Sequence, residues 1–97
     1  MASGTIRDAT HIIKEYSKSY TVAGNGSFNL TADDLSLATP SGFKPVAAAK
    51  IGSGNTNVVL RYVNVEATGT NNVLGFRSVT SSSVTASASI SILYLKL

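Results

Sequence analysis

Along this chain apolar and polar residues tend to alternate in twos, in short runs separated by stretches rich in Gly, Asn and Ser. In residues 12–22 (IIKEYSKSYTV), Lys14, Tyr16, Lys18, Tyr20 and Val22 share one side. Ile13, Glu15, Ser17, Ser19 and Thr21 share the other. Strand side chains point alternately to opposite faces, so this spacing predicts a strand with one side in water. Asn25-Gly26 follows, a pair that takes the positive φ of tight hairpins, and Phe28 and Leu30 read as the returning strand. Thr31 with Asp34 three residues later matches a capping box and predicts a short helical turn through Leu35 to Leu37. Thr39, Pro40, Ser41 and Gly42 form a turn signal, and Pro45 is expected to close the loop because it lacks the N–H of a central strand.

The remaining pattern is simpler. Residues 46–51 read as a strand, and residues 58–66 give the clearest one. There Val58, Leu60 and Tyr62 occupy one side and Val59, Val63 and Val65 the other. Residues 67–72 form a turn, residues 73–79 return, and residues 84–97 make a long final strand. About six or seven short strands with frequent turn signals predict an all-β fold, a compact antiparallel β-sandwich of jelly-roll-like kind. Residues 1–12 are expected to form an N-terminal arm and residues 13–97 the sandwich domain.

Two strands carry more apolar surface than one sandwich face needs. If residues 58–66 and 73–79 form a hairpin centred near Gly69, Tyr62 faces Phe76, Asn64 faces Leu74, Val65 faces Val73 and Arg61 faces Arg77. That register assigns Tyr62 to the core and leaves both faces apolar at several positions, whereas a one-sided antiparallel strand alternates apolar-in and polar-out. In the final strand Val84, Ala86, Ala88, Ile90, Ile92 and Tyr94 line one face. Ser87, Ser89 and Ser91 line the other until it turns apolar at Leu93, Leu95 and Leu97. An uncovered Leu triplet on a terminal strand invites association. The expected subunit interface is therefore Val59, Arg61, Val63, Arg77, Leu93, Leu95 and Leu97. The alternative is that residues 5–13 fold back over the leucines. The two facing arginines are expected on opposite edges with carboxylate partners such as Glu66 or Asp34, the alternative being a buried pair matched to acids across a symmetry axis.

Composition sharpens this. Of 97 residues, 43% are hydrophobic and 13% charged, well under the roughly 25% usual for a soluble domain. Neutral Ser, Thr, Asn and Gly take the surface positions instead. A domain this small buries only about 60–65% of its unfolded surface, and with no Cys it has no disulfide to help. Association of like copies is the remaining common aid. The net charge of +3 comes from singly scattered cations, without the basic run of a nucleic-acid arm, so no nucleic-acid partner is expected. No stretch approaches the ~18 apolar residues of a membrane span, and residues 1–7 lack the apolar core of a signal peptide. The expectation is a chain made in the cytoplasm and released by another route, such as lysis, without membrane insertion.

Candidate chemistry is sparse. His11 is the sole imidazole and there is no thiol, so a nucleophile–base–acid set or a His/Cys metal site has few members to draw on. Asp33-Asp34 supplies too few oxygens for a calcium cage. Gly52-Ser53-Gly54 lacks the Lys and helix of a phosphate loop. Asn25 and Asn29 stand in glycosylation-acceptor sequences, read as chance without a signal peptide. No catalytic residue, metal or cofactor is expected. An exposed aromatic ring can stack on a sugar and an amide can read its hydroxyls, which makes Tyr16, Tyr20, Asn55, Asn57, Asn71 and Asn72 the candidate glycan contacts.

Residues 38–45 (ATPSGFKP), 57–65 (NVVLRYVNV), 67–69 (ATG), 77–81 (RSVTS) and 87–95 (SASISILYL) resemble small β domains of phage and prophage virion proteins from Gram-positive bacteria, where such domains stand alone or end tail-fibre-like proteins. The resemblance spans residues 13–97. It implies a virion location, a structural or receptor-binding role, often as a homotrimer, and contacts with other virion proteins and with host cell-surface polysaccharide. A decoration or assembly protein without sugar binding, or a free carbohydrate-binding module, are the alternatives.

Overall fold

A computed structural model describes residues 9–97. Its six strands are β1 (His11–Val22), β2 (Ser27–Thr31), β3 (Phe43–Gly52), β4 (Val58–Val63), β5 (Asn72–Ser78) and β6 (Val84–Lys96). They form two three-stranded antiparallel sheets, β1-β6-β3 and β2-β5-β4. The β1 strand starts at His11, so two residues assigned to the arm belong to the sheet; residues 1–8 lie outside the described residues. His11 and Ile13 pair beside Leu95 and Leu93 in the β1–β6 ladder.

The even-numbered side of β6 faces inward, as its sequence predicts, and Ala88, Ile90, Ile92 and Tyr94 are fully buried there. Opposite them β2, β4 and β5 contribute Leu30, Val58, Leu74 and Phe76. Tyr20, Phe28 and Phe76 stack in series across the core, with centroids 4.3 Å apart for Tyr20–Phe28 and 5.3 Å for Phe28–Phe76.

The Asn25-Gly26 link does not close a hairpin. Asn25 does take positive φ (57°), but β1 and β2 lie in different sheets, and the turn carries the chain from one to the other. The capping box between Thr31 and Asp34 forms as predicted. The Thr31 N–H donates to Asp34 Oδ2 (2.9 Å) and the Asp34 N–H to Thr31 Oγ1 (3.0 Å). One helical turn results, with Leu35 N–H bonded to the Thr31 carbonyl, and it stops at Ser36, whose φ is 52°. Leu35 from this turn is buried in the core.

Pro45 sits inside β3, opposite Tyr94, rather than before it. The strand tolerates proline because β3 is an edge, where one side of the backbone has no ladder partner. Its register slips at Val46 and again at Ala49. Each slip inserts one unpaired residue and turns the following side chains to the opposite face.

Tyr94 is fully buried, and its hydroxyl lies 2.8 Å from that of Tyr16, which also donates to the Ala38 carbonyl at 3.0 Å. Burial first, then the Tyr16 hydrogen bond, raises the Tyr94 pKa above its ordinary value. Tyr20 is raised too, by burial. A phenol whose folded pKa is raised favours folding while neutral. That stability is whole below the unfolded value near pH 10 and is lost as pH rises toward the folded one. Urea melts should therefore match at pH 7 and 9 and shift to lower urea at pH 11. Tyr94→Phe should shrink the alkaline shift, and an equal shift in that variant would exclude Tyr94 as its source.

Candidate interaction surface

Strand β4 carries the sequence VVLRYV, and only Val58 is buried. The sequence pattern predicts Tyr62 opposite Phe76 and Arg61 opposite Arg77. In the structure Leu60 pairs with Phe76 and Val59 with Arg77; the ladder then skips Arg61, and Tyr62 pairs with Gly75 and Val63 with Leu74. Arg61 is the extra residue of a bulge. By inverting the alternation it sends Tyr62 to the outer face of the sheet, out of the core.

The tyrosine ring then lies across β5. A Cβ added at Gly75 would overlap ring atoms of Tyr62, so the ring keeps this place only over a glycine. The Tyr62 hydroxyl reaches over to β2 and donates to Asn29 Oδ1 at 2.5 Å. Tyr62 as a whole is 36% exposed. The Arg61 guanidinium carbon stands 5.9 Å from its centroid, at the outer limit of a cation–π contact. Arg77, two residues after Gly75 in β5, projects from this face between Ser27 and Val59. Among the described residues no carboxylate pairs with Arg61 or Arg77. Asp34, one expected partner, holds the Thr31 N–H instead.

The edges of the two sheets differ in how they resist pairing with another chain. The β1 edge carries Lys14, Glu15 and Lys18; β3 has Pro45, two bulges and two lysines; β2 has five residues. Charge, proline, bulges and shortness all blunt an edge. The β4 edge has one bulge and one charge, and it exposes Val59 (38%), Leu60 (43%) and Val63 (40%).

A second apolar surface lies on the outer face of the other sheet. Ile13 pairs with Leu93 and Leu93 with Ala47, next to Leu95. Ile13 is 57% exposed and Leu97 79%. Farther along the same face the side chains become hydroxyls that bond each other across the strands, Ser19 to Ser87 at 3.0 Å and Thr21 to Thr85 at 2.9 Å. The seven expected interface residues therefore fall into two groups, one on each sheet: Val59, Arg61, Val63 and Arg77 on β4 and β5, and Leu93, Leu95 and Leu97 at the end of β6.

The six expected glycan contacts do not come together. Tyr16 and Tyr20 are buried, with Tyr20 donating its hydroxyl to the Ser53 carbonyl at 2.7 Å, so neither offers a ring face to a sugar. Asn55 and Asn57 precede β4 at one end of the fold, and Asn71 and Asn72 stand at the other. The Asn55 amide oxygen accepts the Asn57 N–H at 2.8 Å, an Asx turn that shapes the loop. Tyr62, expected in the core, is the tyrosine on the surface. Compared with protein-family models, with curated proteins and with solved structures, the chain finds no match.

Proposed function

We propose that this chain is a non-catalytic building block of a phage particle, a homotrimeric tail-fibre-like module that meets host cell-surface glycans. The observation that carries the reading is a pair of separate exposed apolar patches, the β4 edge of one sheet and the Ile13–Leu93–Leu95 end of the other. Two-fold dimers use one self-complementary patch, whereas rings join two different patches head to tail. Two separate patches suit a ring, and three copies make the smallest closed one.

The strand order supports a jelly-roll lineage for the module. Strands β1·β6 and β2·β5 pair as an antiparallel ribbon, with β3 wound in beside β6 and β4 beside β5. An eight-stranded jelly roll is wound in the same sense, which favours that reading here. Among the described residues no strand pairs with the outer side of β4, so that edge is open to a neighbour. Capsid and lectin domains share that architecture, and the neutral hydroxyl-rich outer face fits an extracellular particle surface.

Light scattering after size exclusion tests the assembly. The expected mass is three times the 10.0 kDa protomer at micromolar concentration. Val59→Lys and Leu95→Lys replace half-exposed side chains, so both variants should keep the far-ultraviolet circular dichroism of the native chain and run as protomers. Mixed together they should form a heterodimer, because each retains the patch the other lacks. A native chain that stays monomeric, or a mixture that fails to associate, overturns the ring.

A further inference from the structure

We propose that the outer face of the β2-β5-β4 sheet is a platform for an anionic saccharide, with the Tyr62 ring as its stacking surface and Arg77 and Arg61 as its charge contacts. The inference rests on the reading that the module meets glycans, and it names the site and the chemical class.

The first argument is rigidity. An aromatic side chain binds a sugar well when its ring is already fixed, since ordering a loose side chain on binding reduces affinity. Tyr62 is held at both ends, its backbone by the β4–β5 ladder and its hydroxyl by Asn29 on β2, while Gly75 supports the ring from below. The ring sits directly over Gly75, and the residue stays 36% exposed on the side away from it. A pyranose presents an apolar C–H face of similar size, and an aromatic face with a hydroxyl at its edge supplies both apolar contact and hydrogen bonding.

The second argument is charge. Strands β2, β4 and β5 contain no acidic residue, yet this face carries Arg61 and Arg77. Among the described residues neither is neutralised by a carboxylate. Two guanidinium groups beside one ring select a sugar that carries a carboxylate or a phosphate, which Arg can engage through two N–H donors at once. The remaining polar groups of the face, Asn29 and Ser27, are suited to hydroxyls.

The third argument concerns affinity. The platform is an open surface rather than a cavity, so a single site is weak. A ring of copies presents the site several times along one polymer, and linked sites gain about 10²–10⁴ in avidity. Ring formation through the β4 edge leaves the middle of the sheet, where the Tyr62 ring crosses β5, facing outward.

Trigalacturonate and its neutral counterpart galactotriose are the probes, followed by amide and aromatic NMR shifts in the intact protein. Shifts on adding trigalacturonate should centre on Asn29, Tyr62, Gly75 and Arg77. Tyr62→Ala should weaken binding at least about tenfold, within the range for loss of one stacked ring. Tyr62→Phe, which keeps the ring over Gly75, should lose less than about threefold, and Arg77→Gln should weaken binding and flatten its salt dependence. The Phe and Gln variants guard against a misfolded Ala variant, whose melting curve is checked alongside. If the native chain binds trigalacturonate and Tyr62→Ala binds it equally, the platform is wrong while glycan binding stands. If galactotriose binds as well as the acid, the charge selectivity is wrong. If the native chain binds neither probe and adsorbs to no cell envelope, the platform fails together with the reading beneath it.

Discussion

Phe76→Ala will lower the stability of this domain by about 3–5 kcal/mol, the usual cost of removing a buried aromatic ring. Phe76 is 1% exposed and closes the aromatic series that joins the two sheets, 5.3 Å from Phe28 and 6.4 Å from Tyr20. Tyr20 belongs to β1 and Phe28 to β2, so the series ties strands of both sheets to the central strand of one. Truncation at Cβ leaves a cavity that rigid strands on either side cannot collapse, and it removes the stacking that adds about 0.5–1.5 kcal/mol to ring pairs. For a domain of this size each kcal/mol moves Tm by about 4–8 °C, so the midpoint should fall by at least about 12 °C. Leu60→Ala is the control. Leu60 faces Phe76 in the ladder but is 43% exposed, and its loss should cost less than about 1.5 kcal/mol. Both are measured by urea unfolding at a single protein concentration, since association adds to apparent stability. A Phe76→Ala midpoint within the error of the native one would mean that the rings do not join the sheets.

Much of this architecture is legible in the sequence because strand alternation is a local signal. The even side of β6 needs no partner to be recognised: Val84, Ala88, Ile90, Ile92 and Tyr94 repeat every second residue, broken only by the part-buried Ala86, and the structure buries them. The capping box of Thr31 and Asp34 is equally local and forms as read. What the sequence conceals is non-local. Asn25-Gly26 has the chemistry of a hairpin turn and adopts the expected backbone, yet whether the next strand lies beside β1 or crosses to the other sheet depends on β5 and β6, some fifty residues away in the chain. The bulges are hidden for a related reason. An extra residue costs little in a strand, and nothing in the run VVLRYV marks Arg61 as the one skipped.

That single skipped residue decides the candidate site. Read with unbroken alternation, Tyr62 joins Val58 and Leu60 on the core side, and the tyrosines left for a ligand are Tyr16 and Tyr20. With the bulge, Tyr62 turns outward while Val58 stays buried and Leu60 keeps its place opposite Phe76. One signal was available. Gly75 interrupts the apolar run of Val73, Leu74 and Phe76 in β5, and a glycine in a strand interior marks a close approach by something else, often an aromatic side chain from the next strand. Tyr62 is the aromatic residue of β4, and pairing it with Gly75 fixes both the bulge and the outward face.

Three glycines separate backbone strain from crowding, and the order of their Ala variants follows from the geometry. Gly42 has φ of 83° with open space around it; Gly24 has ordinary φ, but a Cβ would overlap the Ser81 carbonyl; Gly54 has φ of 81° and its Cβ would overlap the Ser87 carbonyl. Left-handed backbone costs an L-residue about 1–2 kcal/mol, which sets the expected loss for Gly42→Ala. At Gly24 the obstacle is main chain, which cannot rotate away as a side chain can. The loop it belongs to also holds the Asn25 N–H against the Thr80 carbonyl at 2.8 Å, so relieving the overlap loosens that link between the two connections. At Gly54 both costs fall on one residue, and the backbone in the way is that of β6, the central strand of its sheet. Gly54→Ala should therefore lose about 3 kcal/mol or more, strain and overlap together, with Gly24→Ala between it and Gly42→Ala. Urea midpoints of the three variants check the order. If Gly42→Ala proves the most damaging, or Gly54→Ala unfolds at the native midpoint, the loop between β3 and β4 does not rest on β6 as described.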